Sequence, residues 1–221
     1  MIQTYENNKR RIQAFKLTAD VKDENGVVHH FFEGYEYVEI GGIKWATCNV
    51  GAEKETDSGL YFAWGETVGY KDANEKNFTW GSYKFGDYYN ISKYNDDDEL
   101  DTLEACDDAV TQNIGRNWRM PTFDEFRSLL FATTKKWTIV NGVSGRLFTD
   151  KTDDSKELFF PAVGSCYNGN VHYVGSYGYY WSSSLGSSDY VYGWNLYFSN
   201  GSCHMDNYYR RRGFPVRGVI K

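Results

Sequence analysis

Apolar and polar residues alternate at the start of the chain. Phe15, Leu17, Ala19 and Val21 interleave with Lys16, Thr18, Asp20 and Lys22, and Asn25-Gly26 then turns the chain into Val27 to Phe32. That pattern predicts a β-hairpin, and residues 1–36 read as a small hairpin or attachment element preceding a domain of residues 37–221. A second hairpin is predicted around Gly41-Gly42, joining Tyr37–Ile40 to Ile43–Ala46, with Val38, Ile40, Ile43 and Trp45 as core. Residues 51–100 are loop-rich, and their one strongly apolar stretch is Gly59 to Gly65. The helical period appears next. Leu103, Cys106, Val110 and Ile114 predict a helix capped by Thr102 and stopped at Gly115, with Cys106 as a core thiol. Thr122 and Glu125 form a capping box that opens a short helix whose apolar side is Phe123, Phe126, Leu129 and Leu130. Trp137–Val140, the Asn141-Gly142 turn, Arg146–Thr149 and Leu158–Phe160 read as strands, as do several later short runs. The class is therefore α+β, with two short helices, irregular antiparallel β-sheets and long loops.

Composition changes this picture by splitting it. Up to Glu157 there are nineteen basic and twenty-eight acidic residues, a net of -9, whereas the remainder carries five basic and two acidic, a net of +3, for -6 in all. Between Leu158 and Ile220 the chain has no Lys, Glu or Gln, although the first 157 residues contain 29 of them. Ten of the 19 Tyr lie in that second part, among Ser, Gly and Asn. Rigid amphipathic rings among small polar groups make up an antibody-like paratope; a set of Gly/Tyr-rich surface loops with no ligand has the same composition. The net negative charge argues against a nucleic-acid partner. No apolar run approaches the roughly eighteen residues of a membrane span, so no membrane insertion is expected. Met1 to Arg11 is polar and lacks the apolar core of a signal peptide, so the expectation is a cytoplasm-made or virion protein, with a cell-surface location as the alternative.

Most candidate chemistry fails on spacing. Asp96 to Glu99 with Asp101 lacks the register of a calcium loop and reads as a solvated acidic loop. His29 and His30, adjacent in a strand, face opposite ways. Ser182 to Ser184 have no nucleophile elbow around them. Cys48, Cys106, Cys166 and Cys203 read as free thiols, with a Cys166–Cys203 bridge as the lesser alternative. Arg210, Arg211, Arg212 and Arg217 concentrate positive charge, and one of them is a candidate binding anchor. No metal or cofactor is expected.

Six phrases carry a resemblance: Gly42-Ile43-Lys44-Trp45-Ala46-Thr47-Cys48-Asn49-Val50-Gly51, Tyr61-Phe62-Ala63-Trp64-Gly65-Glu66, Trp118-Arg119-Met120-Pro121-Thr122 with Glu125-Phe126, Phe159-Phe160-Pro161-Ala162, Tyr180-Trp181-Ser182-Ser183-Ser184 and Gly213-Phe214-Pro215-Val216-Arg217. In order, over residues 37–220, they resemble the paralogous surface domains of gut bacteria and their phages. Those domains have a C-type-lectin-like fold related to formylglycine-generating enzymes. The C-terminal part is similar to the variable region of proteins diversified by retroelements, in which miscopied template adenines turn Asn codons AAY into NNY. Such codons exclude Lys, Glu, Gln, Met and Trp, so the resemblance makes Trp181, Trp194 and Met205 framework positions.

Residues 164–213 then form the variable ligand-binding region. Its candidate display positions are Cys166, Tyr167, Asn170, His172, Tyr173, Tyr177 and Tyr179; Asp189, Tyr190, Val191, Tyr192, Asn195 and Tyr197; Ser202, Cys203, His204, Asp206, Asn207, Tyr208 and Tyr209; and Arg211 and Arg212. Alternation places Asn195, Tyr197 and Ser199 on the solvent face of a strand and Trp194, Leu196 and Phe198 in its core. The implied function is non-enzymatic: a phage receptor-binding or tail-associated protein that recognises a variable cell-surface ligand, protein or glycan, with residues 1–36 serving homo-oligomer or virion assembly. The alternatives are a fixed-sequence surface adhesin of the same fold and a formylglycine-generating-like enzyme. Calcium-dependent sugar binding is not expected, because Trp194-Asn195-Leu196 lacks the carboxylate of the lectin triplets.

Overall fold

A computed structural model describes residues 2–186 and 189–221. The chain opens with a helix, α1 (Ile2–Ala14), which apolar periodicity did not reveal because Ile12 is its only deeply buried side chain among residues 5–14. Tertiary contacts hold it: Tyr5 packs on His29 at 4.8 Å and Lys9 pairs with Glu36 at 3.3 Å. Strands β1 (Ala19–Lys22) and β2 (Val28–Phe32) form the expected first hairpin, and β3 (Tyr35–Ile40) and β4 (Ile43–Asn49) the second. Gly41 and Gly42 both have positive φ, which a two-residue hairpin turn of this twist requires.

The boundary after residue 36 falls inside β3. β2 pairs with β3 through Phe32–Tyr35 and His30–Tyr37, so the opening hairpin extends the sheet of the domain. His29 and His30 diverge as expected, His29 to Glu36 (2.6 Å) and His30 to Asp20 (2.8 Å). The sheet has six strands in the order β1-β2-β3-β4-β14-β5, where β5 is Trp118–Arg119 and β14 is Arg217–Ile220. The C-terminus therefore lies beside β4, and one sheet carries both ends of the family-like region.

Three further antiparallel sheets complete the α+β architecture: β6 (Thr133–Val140), β7 (Val143–Asp150) and β8 (Glu157–Pro161); β9 (Ser165–Tyr167) with β10 (Asn170–His172); and β11 (Gly178–Leu185), β12 (Tyr192–Phe198) and β13 (Cys203–Tyr209). The capping box at Thr122 and Glu125 opens α3 (Phe123–Ala132), with Phe126 and Leu129 buried. The other predicted helix is shorter than its period suggested. α2 covers only Ala109–Asn113, because the buried Asp108 accepts from the Thr111 N–H and caps it there. Thr102 instead bridges Ser184, and Cys106 is exposed rather than a core thiol.

Two cores result. One gathers Tyr61, Phe62, Trp64, Phe78, Trp118, Trp181 and Phe214; the other gathers Trp45, Phe126, Phe148, Phe160, Tyr180, Leu196 and Phe198. Buried polar groups join strands that are distant in sequence. The Arg217 guanidinium, stacked 4.4 Å from the Phe160 ring, donates to Asn49 Oδ1 (2.9 Å) and to the carbonyls of Ala46, Thr47 and Phe159. Arg210 lies over Trp64 and donates to the carbonyls of Lys93 and Tyr94. Two of the four arginines of the basic cluster are thus structural, bound to backbone carbonyls and an amide oxygen rather than to carboxylates.

Candidate ligand-binding face

The β11-β12-β13 sheet separates its side chains by strand period. Tyr180, Leu196 and Phe198 face the second core, and Tyr179, Tyr197 and His204 align across the three strands on the opposite face, in register Tyr179–Tyr197 and Tyr197–His204. Phe214 forms the floor of that face. It stacks on Tyr179 at 4.9 Å, meets Trp181 at 4.2 Å, and takes Tyr208 edge-on at 5.9 Å. Trp181 is locked beneath by its Nε1–H donating to the Phe62 carbonyl at 2.9 Å. Phe214 and Trp181 belong to two of the six phrases that carry the resemblance, so the phrases build the support and the residues between them build the surface.

On this floor the rings form one continuous ridge. Tyr208 meets Tyr179, which meets Tyr197 at 5.3 Å; Tyr197 continues to Tyr177 at 5.9 Å, and Tyr177 to Tyr173 at 5.1 Å. The β9-β10 hairpin closes that end by stacking His172 on Tyr167 at 3.8 Å. At the other end Tyr209 stacks on Tyr192 at 4.8 Å and contacts Trp80 and Tyr88, and Tyr88 leads to the exposed Tyr89. Sequence reasoning missed Trp80, Tyr88 and Tyr89. Their only sequence signal was aromatic density in a loop-rich stretch, which does not say which surface a loop joins.

Several expected display positions are elsewhere. Cys166, Val191 and Asn195 are buried, and Tyr179 is only 8% exposed. Cys166 exchanges backbone hydrogen bonds with Gly213 under the ridge, and Asn195 donates to the Asp206 carbonyl at 3.0 Å. The alternation therefore holds for Leu196 and Phe198 but fails for Asn195, because the first core covers that part of the second face; Trp194 is only partly buried and packs on Phe123 at 4.5 Å. Ser202 and Cys203 lie at the β12–β13 turn, where Arg146 grips the carbonyls of Ser199, Asn200 and Ser202 and Cys203 packs on the second core. Asp189 and Tyr190 line a separate cleft of about 630 Å³ with Asp96, Glu99 and Asp101. Asn170 and His204 are exposed, while Asp206 and Asn207 are half-buried on β13. Ser187 and Ser188, inside the 164–213 segment, lie outside the described residues.

A family model described as the Lcl C-terminal domain matches residues 39–220. The chain belongs to the Lcl C-terminal domain family. No curated protein and no solved structure matches it. The matched span includes every ring of the ridge and excludes α1, β1 and β2.

In this Lcl C-terminal domain burial favours the neutral forms of two thiols and of a ridge hydroxyl. Burial pushes the Cys166 thiol up to about 12 and the Cys203 thiol to about 11, and all four cysteines are free. Burial first, and the neighbouring Tyr208 and Tyr197 next, raise the Tyr179 hydroxyl well above its ordinary range. The consecutive serines are likewise occupied: Ser182 Oγ donates to the Trp194 carbonyl, and Ser184 Oγ accepts from the Phe123 N–H. Glu104, Cys106 and Asp107 lie close enough together to suggest metal ligands. Lys93 pairs with both carboxylates and Lys84 with Asp107, so two ammonium groups already neutralise them. What the face offers is tyrosine rings, their hydroxyls and two guanidiniums on a packed floor.

Proposed function

We propose that the domain is a non-enzymatic ligand-binding protein whose Tyr-rich ridge is its recognition surface. The supporting observation is the ridge itself: rings from β9 to β13 and from the loop at residues 80–89, continuous from Tyr167 to Tyr89 over a buried Phe214 and Trp181. Large, rigid rings with polar edges are the groups that dominate binding energy at protein surfaces. The wider reading is a C-type-lectin-like domain diversified at its exposed positions, serving a phage as a receptor-binding or tail-associated protein, with residues 1–36 as the assembly element. The absence of Lys, Glu and Gln between Leu158 and Ile220 supports diversification. Placement of the low-acidity Cys166 thiol in one core and the Cys203 thiol against the other supports a non-catalytic role, since thiol chemistry needs an accessible thiolate.

The direct test is binding of the fluorescently labelled chain to a panel of gut bacterial isolates, beside the variant carrying Tyr173→Ala, Tyr177→Ala and Tyr197→Ala. Binding to a subset of isolates, lost in the variant while far-ultraviolet circular dichroism is unchanged, is the expected outcome. Equal binding by the variant refutes the ridge as the recognition surface. Diversification has its own test: a reverse-transcriptase gene near the locus and a near-copy of the last sixty or so codons differing at adenines. A locus with neither leaves the fixed-sequence adhesin as the reading.

A further inference from the structure

Arg212 occupies an unusual place in the ridge. Its guanidinium carbon lies 3.5 Å from the centroid of Tyr167 and 4.5 Å from that of Tyr208. The Tyr167 ring also stacks on His172 at 3.8 Å. Two groups at such distances cannot share one ring face, so Tyr167 is sandwiched, and the stack runs His172, Tyr167, Arg212, Tyr208. The guanidinium thus lies over the rings of both Tyr167 and Tyr208, and among the described residues its N–H edge donates no hydrogen bond. Among the described residues no carboxylate lies within ion-pair distance of that edge, and the buried Nε has no hydrogen-bond partner.

The neighbouring charge has the same sign. Arg211 leans on Trp80 and Tyr209 and donates to the Phe78 carbonyl, and its guanidinium acidity is increased first by burial and next by Arg212. The segment that carries both has a net charge of +3 on a scaffold of -9. A planar cation packed on rings, with no carboxylate paired to its N–H groups, matches a coplanar two-oxygen acceptor.

We infer that Arg212 is the anchor of the binding face and takes an Asp or Glu side chain of a protein partner, bidentate along the guanidinium edge. This rests on the binding reading above and specifies its ligand. A protein fits better than an acidic sugar because sugars stack on open ring faces. Both faces of Tyr167, the ring nearest the guanidinium, are covered, so that ring offers a sugar no open face beside the anchor. Tyr208 meets Tyr179 and Tyr209 nearly perpendicularly, at 80° and 82°.

The test pans a random dodecapeptide library against the full chain and measures synthetic versions of the enriched peptides on the wild type, Arg212→Lys and Arg212→Ala, with polygalacturonate as the acidic-sugar arm. Enriched peptides sharing an Asp or Glu are expected. Changing that residue to Asn or Gln, or Arg212 to Lys, should each weaken binding by about tenfold to a hundredfold, and the two losses should not add in a double-mutant cycle. Lys keeps the charge but not the planar fork, so loss in that variant separates a bidentate contact from general attraction. The peptide-side change needs no protein variant and decides the matter if either Arg212 variant fails to fold. Peptides that bind without an acidic residue, or equally well to all three proteins, overturn the anchor and leave the binding face standing. Arg212-dependent binding of polygalacturonate without peptide binding overturns the protein partner. Failure of the wild type to bind peptide, polygalacturonate or any isolate brings down both readings.

Discussion

Tyr173 and Tyr179 stand six residues apart in the ridge, and replacing each by Asn, a product open to an NNY codon, should have opposite consequences. Tyr179 is 8% exposed, stacked on Phe214 and flanked by Tyr197 and Tyr208. A buried ring of about 150–250 Å² at about 25 cal/mol/Å² corresponds to about 4–6 kcal/mol, in line with the ~3–5 kcal/mol that large-to-small aromatic substitutions cost. The buried amide that replaces it adds a desolvation cost if it finds no partner. At this chain length about 2–4 °C is lost per kcal/mol, so Tyr179→Asn should lower Tm by about 6–20 °C. Tyr173 is 49% exposed, and its φ of 64° lies in the left-handed region, where Asn is better tolerated than an aromatic residue. Half a ring of lost burial, about 2–3 kcal/mol, is offset by about 1 kcal/mol of relieved backbone strain. Tyr173→Asn should therefore shift Tm by only a few degrees while removing a presented ring from the ligand. Calorimetry on both variants, paired with the isolate-binding assay, checks this. A Tyr179→Asn protein that melts with the wild type, or a Tyr173→Asn protein that melts as low as Tyr179→Asn should, would refute the division of the ridge into floor and surface.

Other outcomes follow from groups beneath the face. Arg217→Met removes a buried cation that donates to Asn49 and three backbone carbonyls, and should cost about 3–5 kcal/mol in urea unfolding; a variant as stable as wild type would mean that desolvation of the guanidinium cancels its hydrogen bonds. At pH 8 the exposed Cys106 should react with a thiol reagent at once and Cys166 only on unfolding, and early labelling of Cys166 would contradict its place under the ridge. Because burial holds the Cys166 thiol protonated up to about 12 against an ordinary 9.0, the folded state binds more protons above pH 9. Stability should fall as pH rises from about 9 towards 12, and Cys166→Ser should reduce that slope. Asp107 behaves oppositely: burial alone would raise its pKa, but hydrogen bonds from Lys84, Lys93 and Tyr94 hold it below the ordinary carboxylate range. Its contribution should be present above the ordinary carboxylate pKa and lost as pH falls below it, and acid unfolding of Asp107→Asn should lack that component.

Much of this protein follows from the order of its residues alone. The Asn25-Gly26, Gly41-Gly42 and Asn141-Gly142 turns and the Thr122–Glu125 cap are local events, decided by φ preference and by side-chain reach to a neighbouring N–H, and each forms where sequence placed it. The missing Lys, Glu and Gln and the excess of Tyr likewise pointed to the segment that carries most of the ridge. Tertiary structure decided what periodicity cannot express. α1 is held by Tyr5 and Lys9 reaching strands about two dozen residues away, and the predicted helix from Thr102 is cut short by a cap at Asp108. Cys166, Tyr179, Val191 and Asn195 share composition with their exposed neighbours but are buried: Tyr179 and Asn195 because both faces of the β11-β12-β13 sheet are partly covered, Cys166 and Val191 because β9 and the segment before β12 pack into the first core. A period of two says which side chains share a face, not whether another segment packs on that face. The same limit hid Trp80, Tyr88 and Tyr89, more than a hundred residues before the Tyr209 they join: the ridge is a surface assembled from distant segments, and only their packing sets its edges.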